Sequence, residues 1–120
     1  MTGKSIRKSL VGVATMLTLL FGVATYAVAQ FVGSDRVMAY ETDTWRVWIP
    51  AGSSRIDVRG DGDTDLDCYV YDQDGDLLGL DNDYTDHCIV DVWQRRGGNI
   101  HVEITNLGNV YNRYTISVAP

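Results

Sequence analysis

Residues 61–76 read DGDTDLDCYVYDQDGD, seven aspartates in sixteen positions. Carboxylates at this density ligate a hard cation, act as an acid/base pair, or cap turns and keep a surface solvated. Calcium takes about six to eight oxygen ligands and favours carboxylates. The EF-hand pattern is not met. Asp72, Asp74 and Asp76 occupy its first three ligand positions, but Leu77 stands where glycine is required and Asp83 where a bidentate glutamate belongs. Acid/base chemistry is a poor fit, because aspartates on an open hairpin lack the apolar burial that raises a carboxyl pKa. There is no G-x-S-x-G, and His87 and His101 fall on positions expected to face solvent. The sequence therefore predicts a protein that is not an enzyme.

The turn at residues 72–76 decides where the other aspartates fall. A two-residue Asp-Gly loop would pair Cys68 with Asp81, an apolar face against a charged one. A three-residue loop, a type I turn with Gly75 left-handed, pairs Asp72 with Asp76, Val70 with Leu78 and Cys68 with Leu80. Apolar then meets apolar, and a slip by one residue would flip every side chain, so this second register is expected. It sets Asp67 across from Asp81 and Asp65 across from Asp83. Directly opposed like charges destabilise a sheet. Asp65, Asp67, Asp81 and Asp83 are therefore the expected metal ligands, with Ca2+ as the one expected cofactor. The alternative is a solvated acidic rim whose aspartates cap turns and discourage edge-to-edge association.

The same stretch carries Cys68, and Cys88 follows 20 positions on. In an oxidising compartment an even pair in a small domain is usually a disulfide. Closing a loop of about 20 residues contributes roughly 3 kcal/mol in the chain-entropy model. The alternative is two buried free thiols. By alternation Tyr69 and Tyr71 share a face with Asp65 and Asp67, and Trp48 and Trp93 also point away from the core. Outward aromatic rings give large contact area at low entropic cost, so these four are the expected ligand-binding residues. Cross-strand pairing that only stabilises the sheet is the competing explanation.

These side chains need a sheet to hold them, and the chain is patterned for one. Trp45, Val47 and Ile49 alternate with polar or outward residues; so do Ile56 and Val58; Leu66, Cys68 and Val70; Cys88, Val90 and Val92; Ile100, Val102 and Ile104; and Tyr114, Ile116 and Val118. Each is a short strand bounded by Gly, Asn, Asp or Pro, and no helical period follows residue 30. Several such strands make an all-β fold, a small antiparallel β-sandwich of jelly-roll type. Ahead of it, Lys4, Arg7 and Lys8 precede an apolar run and Ala27-Val28-Ala29 reads as a cleavage site. That is a signal peptide over 1–29, followed by a lead-in over 30–42 and the sandwich domain over 43–120. An uncleaved anchor is the rival reading of the apolar run. Cleavage would remove three of the ten basic residues, leaving seven arginines and no lysine against sixteen acids, a net charge near −9. Such a surface repels nucleic acid and anionic lipid and attracts cations or basic partners. No nucleic acid and no membrane is expected as a partner after cleavage.

From about residue 43 to residue 118 the chain resembles the bacterial pre-peptidase C-terminal domain, a small β-sandwich related to the collagen-binding domains of clostridial collagenases. The stretches that carry the likeness are TDTWRVWIPAGSSRIDVRG, DTDLDCYVYDQDGDLLGLDND and VEITNLGNVYNRYTISV. The paired cysteines and WQRRGG depart from the pattern. The resemblance implies a domain that accompanies secreted peptidases, where it assists secretion or localisation or binds substrate, and some relatives hold calcium. The expected function is a non-catalytic exported binding module, periplasmic or secreted, that recognises a protein or a polysaccharide of the envelope or medium. The alternative is a structural, secretion-accessory domain for a separate secreted peptidase.

Overall fold

The computed structural model describes residues 31–120; the signal peptide expected over 1–29 lies outside them. Among the described residues there are eight strands and no helix. They are β1 (Thr25–Val37, described from residue 31), β2 (Thr42–Ile49), β3 (Gly52–Arg59), β4 (Leu66–Tyr71), β5 (Leu77–Asp81), β6 (His87–Gln94), β7 (Gly98–Asn106) and β8 (Asn112–Ala119). Two antiparallel sheets result, with strand order β2-β7-β4-β5 in the first and β1-β8-β3-β6 in the second.

The period-two pattern becomes burial directly. In β4, Leu66, Cys68 and Val70 are buried while the residues between them are half-exposed. The inward residues of both sheets form one core with Trp45, Val47, Ile56, Val58, Ile100, Val102, Ile116 and Val118 at its centre. Burying one apolar face per sheet against the other is the main driving force for this architecture. Residues 31–37, within the stretch read as a lead-in, add a strand beside β8 and give Phe31 and Val37 to the core. Cys68 of the first sheet and Cys88 of the second are joined as a disulfide, with Cα atoms 6.2 Å apart. The bridge therefore ties the two sheets through the core, as both inward-facing positions required.

One buried polar chain crosses the core. The Trp45 indole donates to the Tyr114 hydroxyl (2.7 Å), which donates to the Asp43 carboxylate. Burial, with the neighbouring Asp43 charge, pushes the Tyr114 pKa far up, so the phenol stays a neutral donor. Two fully buried asparagines pin the end loops. Asn106 donates from Nδ2 to the Val37 and Val110 carbonyls and accepts from Gly108 N, while Asn112 accepts from Asp61 N and donates to Thr64 and Asp86.

The β4–β5 hairpin departs from the expected register, and the turn is not the cause. Asp72 N donates to Asp76 O (2.8 Å), Gly75 N donates to Asp72 O (3.1 Å), and Gly75 has φ 87°, the three-residue turn the sequence predicts. Immediately beyond it the ladder shifts between Val70 and Tyr71. Tyr71 pairs with Leu77, Val70 with Gly79, Tyr69 with Leu80 and Cys68 with Asp81. Leu78 is the extra residue, and it packs against the core. The expected pairings of Val70 with Leu78, Cys68 with Leu80, Asp67 with Asp81 and Asp65 with Asp83 are therefore not formed. The reason lies across the sandwich. A Cβ on Gly79 would stand 2.8 Å from Val90 Cγ1, so β5 approaches β6 at the one position with no side chain. The Asp81 carboxylate then accepts from Ile89 N at 3.0 Å, capping the edge of the second sheet. The bulge lets Leu78 reach the core while keeping both contacts.

Candidate functional site

The acidic end is largely a set of turn caps. Asp72 Oδ1 accepts from the Asp74 and Asp76 amides, each at 2.9 Å, which is what shapes the hairpin turn. Asp83 Oδ1 accepts from Thr85 N and Oγ1, both at 2.8 Å, and these bonds hold its pKa down. Asp86 Oδ2 accepts from Gly62 N and Asn112 Nδ2. Asp65 and Asp67 are different. Each has a buried Oδ1 with no hydrogen-bond partner in the structure. Desolvation raises both pKa values, helped at Asp65 by the charges of Asp83 and Asp86, and at Asp67 by those of Asp65, Asp81 and Asp83.

So the four expected ligands are electrostatic neighbours even though the hairpin does not pair them. As placed they do not make a metal cage: among the described residues no three Asp, Glu, His or Cys side chains converge as a ligand set. Asp81 Oδ2 accepts from Ile89 N and Asp83 Oδ1 from Thr85, bonds that fix where these two carboxylates sit.

The expected aromatic residues divide between two faces. The outer surface of the first sheet carries three of them. Register places Tyr69 between Glu103 and Leu80, Tyr71 between His101 and Leu77, Arg46 beside His101, and Trp48 beside Asn99. Trp48, Leu77 and Leu80 are 44%, 50% and 43% exposed, unusual for large apolar side chains in regular strands. Tyr71 lies close enough to Glu103 and Tyr69 that, with desolvation, its pKa is raised. It remains an uncharged donor and acceptor at neutral pH. A Cβ on Gly97 would stand 2.7 Å from Trp48 Cζ2, so the loop after β6 gives Trp48 its seat. The result is a face with Trp48 at one side and Tyr69, Tyr71, Leu77 and Leu80 at the other, separated by Asn99, His101 and Glu103 of β7. Leu80 was not predicted for it, because its facing depends on the bulge at Leu78, whereas Leu77 keeps the partner Tyr71 that the expected register gives it. Trp93 stands apart, 64% exposed on the edge strand β6 of the second sheet. It lines a separate depression with Arg95, Arg96 and the 72–74 turn.

The histidines build no catalytic arrangement. His87 Nε2 lies 3.1 Å from Asp57 Oδ1 on the outer face of the second sheet, in a pair with Arg59 nearby. His101 sits between Arg46 and Tyr71 on the first.

No family model matches the sequence, and neither does any curated protein sequence. Solved structures do match in fold. One is the periplasmic g-type lysozyme inhibitor of Aeromonas hydrophila (TM-score 0.55, 13% identity, 97% of this chain and 98% of that one). Another is the pre-peptidase C-terminal domain of a Bacillus anthracis collagenase (TM-score 0.64, 10% identity, 98% of this chain and 97% of that one). The described residues, 31–120, have the β-sandwich fold of a pre-peptidase C-terminal domain.

Proposed function

We propose that the protein is a non-catalytic, exported binding module that recognises a protein partner through the outer face of its first sheet. The observation that carries this reading is the outward set Trp48, Leu77 and Leu80, exposed, with the half-buried Tyr69 and Tyr71 between them, held on strands and flanked by Arg46, His101 and Glu103. Aromatic and apolar residues on a rigid surface, with polar groups among them, match the composition of interface centres. Strands fix these side chains before binding, which lowers the entropic cost of association. A disulfide through the core fits an oxidising compartment. The fold neighbours support a non-enzymatic role: one accompanies a collagenase and the other is described as inhibiting a lysozyme.

The test is affinity capture from envelope extract and culture fluid, followed by a binding isotherm with the purified captured protein; g-type lysozyme is a ready first probe. Tyr69→Ala with Tyr71→Ala should weaken binding at least about tenfold, the effect of losing hot-spot aromatics, and Trp93→Ala should not. Equal affinity of the double variant, with its melting curve intact, removes the sheet face from the reading. Recovery of no partner at micromolar protein leaves the accessory, purely structural role.

A further inference from the structure

The opposite face concentrates the positive charge of an acidic protein. On the outer surface of the second sheet, Arg36 of β1 and Arg113 of β8 are direct cross-strand partners. One row on, Thr115 is flanked by Ser34 and Arg59. Both guanidinium groups lie against Tyr111, with Cζ atoms 5.3 Å and 5.8 Å from the ring centroid. Ser34, Arg36, Arg59, Arg113 and Thr115 line an open depression of about 810 Å³, together with Asp35 and Asp61.

Both of these carboxylates accept backbone N–H bonds. Asp35 Oδ1 accepts from Arg36 N at 2.7 Å, and Asp61 accepts from Arg113 N at 2.8 Å and from Asp63 N at 3.0 Å. Among the described residues no carboxylate comes within ion-pair distance of the Arg36 or Arg113 guanidinium, while Arg59 has a 3.3 Å contact with Asp57. Two like charges directly opposed on a sheet cost stability, and a chain with sixteen acids has ample means to neutralise them. Stacking on Tyr111 holds the two planar groups in place through cation–π contact and leaves their N–H forks directed to solvent. Arginine, unlike lysine, offers those donors in a fixed geometry that matches tetrahedral and planar oxyanions.

We infer that this depression binds a phosphate-bearing ligand, with Arg36 and Arg113 as the clamp, Arg59 adding charge, and the Ser34 and Thr115 hydroxyls as further donors. A compact dianion answers the paired Arg36 and Arg113 guanidinium groups better than a single carboxylate does. The phosphate can come from a free ester or from a polymer joined by phosphodiesters, and the two sources are separable by experiment.

Titration calorimetry of the intact protein with inorganic pyrophosphate and with a short glycerol-phosphate oligomer, each at low and moderate salt, provides the test. Saturable binding of pyrophosphate, weakened by salt, is expected. The double change Arg36→Ala with Arg113→Ala should reduce affinity by about tenfold or more, as the loss of two charge-assisted contacts, and Arg95→Ala with Arg96→Ala should leave it unchanged. Arg36→Lys with Arg113→Lys keeps the charge and the fold, so a similar loss there confirms that the forked geometry matters. Tighter binding of the oligomer than of pyrophosphate identifies a polymer ligand, and the reverse a free ester. Absence of saturable binding, equal binding of citrate, or an equal loss in the Arg95/Arg96 variant overturns the inference.

Discussion

Asp67 holds a half-buried carboxylate beside three others, and its charge is a cost rather than a contact. Its folded pKa is raised above the unfolded value, so the folded state binds the proton more tightly. The cost is therefore absent below the unfolded pKa of about 3.9 and fully present once pH exceeds the raised folded value. Asp67→Asn should raise the melting temperature at pH 7, and the gain should shrink toward nothing as pH falls to about 4. A melting series over that range, wild type against variant, reads this directly; a pH-independent difference would place the effect elsewhere. Calcium at the same end has a structural requirement: the four carboxylates must move together, since among the described residues no three candidate ligands converge, and Asp81 and Asp83 are tied to Ile89 N and Thr85. Because those bonds are made, millimolar calcium is expected to shift the melting temperature no more than magnesium does. A rise specific to calcium, abolished by Asp67→Asn with Asp81→Asn, would show that the rim rearranges into a site.

At the level of the hairpin, one missing side chain sets the register. Gly79 sits where any Cβ would meet Val90 at 2.8 Å. Gly79→Ala should therefore destabilise the fold by about 1–3 kcal/mol, the usual cost of overpacking a core contact, measured by denaturant unfolding. A neutral effect would mean that β5 is free to move off β6. This contact also explains what the sequence could and could not disclose. Within the hairpin, Asp72 as a cap, Gly75 in the left-handed region and the inward facing of Cys68 and Val70 follow from local chemistry, and each is present. Alternation likewise placed Cys88 inward toward Cys68, and Trp48, Tyr69 and Tyr71 outward. The bulge at Leu78 is decided by Val90 and Ile89 on the other sheet, which the hairpin's own sequence does not contain. With it went the pairing of Asp67 with Asp81 and the outward facing of Leu80, which the expected register turns inward against Cys68. The strand at residues 31–37 escaped notice for a related reason: Val32, Ser34 and Arg36 form its outer side, and Gly33 seats the Trp45 ring, so its apolar alternation is weak.

Across the molecule, the two sheets present different chemistries on their outer faces, with the core disulfide holding them in fixed relation. Aromatic and aliphatic side chains occupy the first sheet, arginines gather on the second, and turn-capping aspartates close one end. The proposed protein interface and the inferred phosphate site therefore fall on opposite faces of the domain, and each is tested without disturbing the other. The most direct measurement is oxidative footprinting of side chains in the complex with the captured protein partner. Trp48, Tyr69 and Tyr71 should become protected on binding, while Trp93 and Tyr84, 64% and 94% exposed, should stay as reactive as in the free protein. Protection of Trp93 with unchanged reactivity at Tyr69 and Tyr71 would contradict binding through the first sheet.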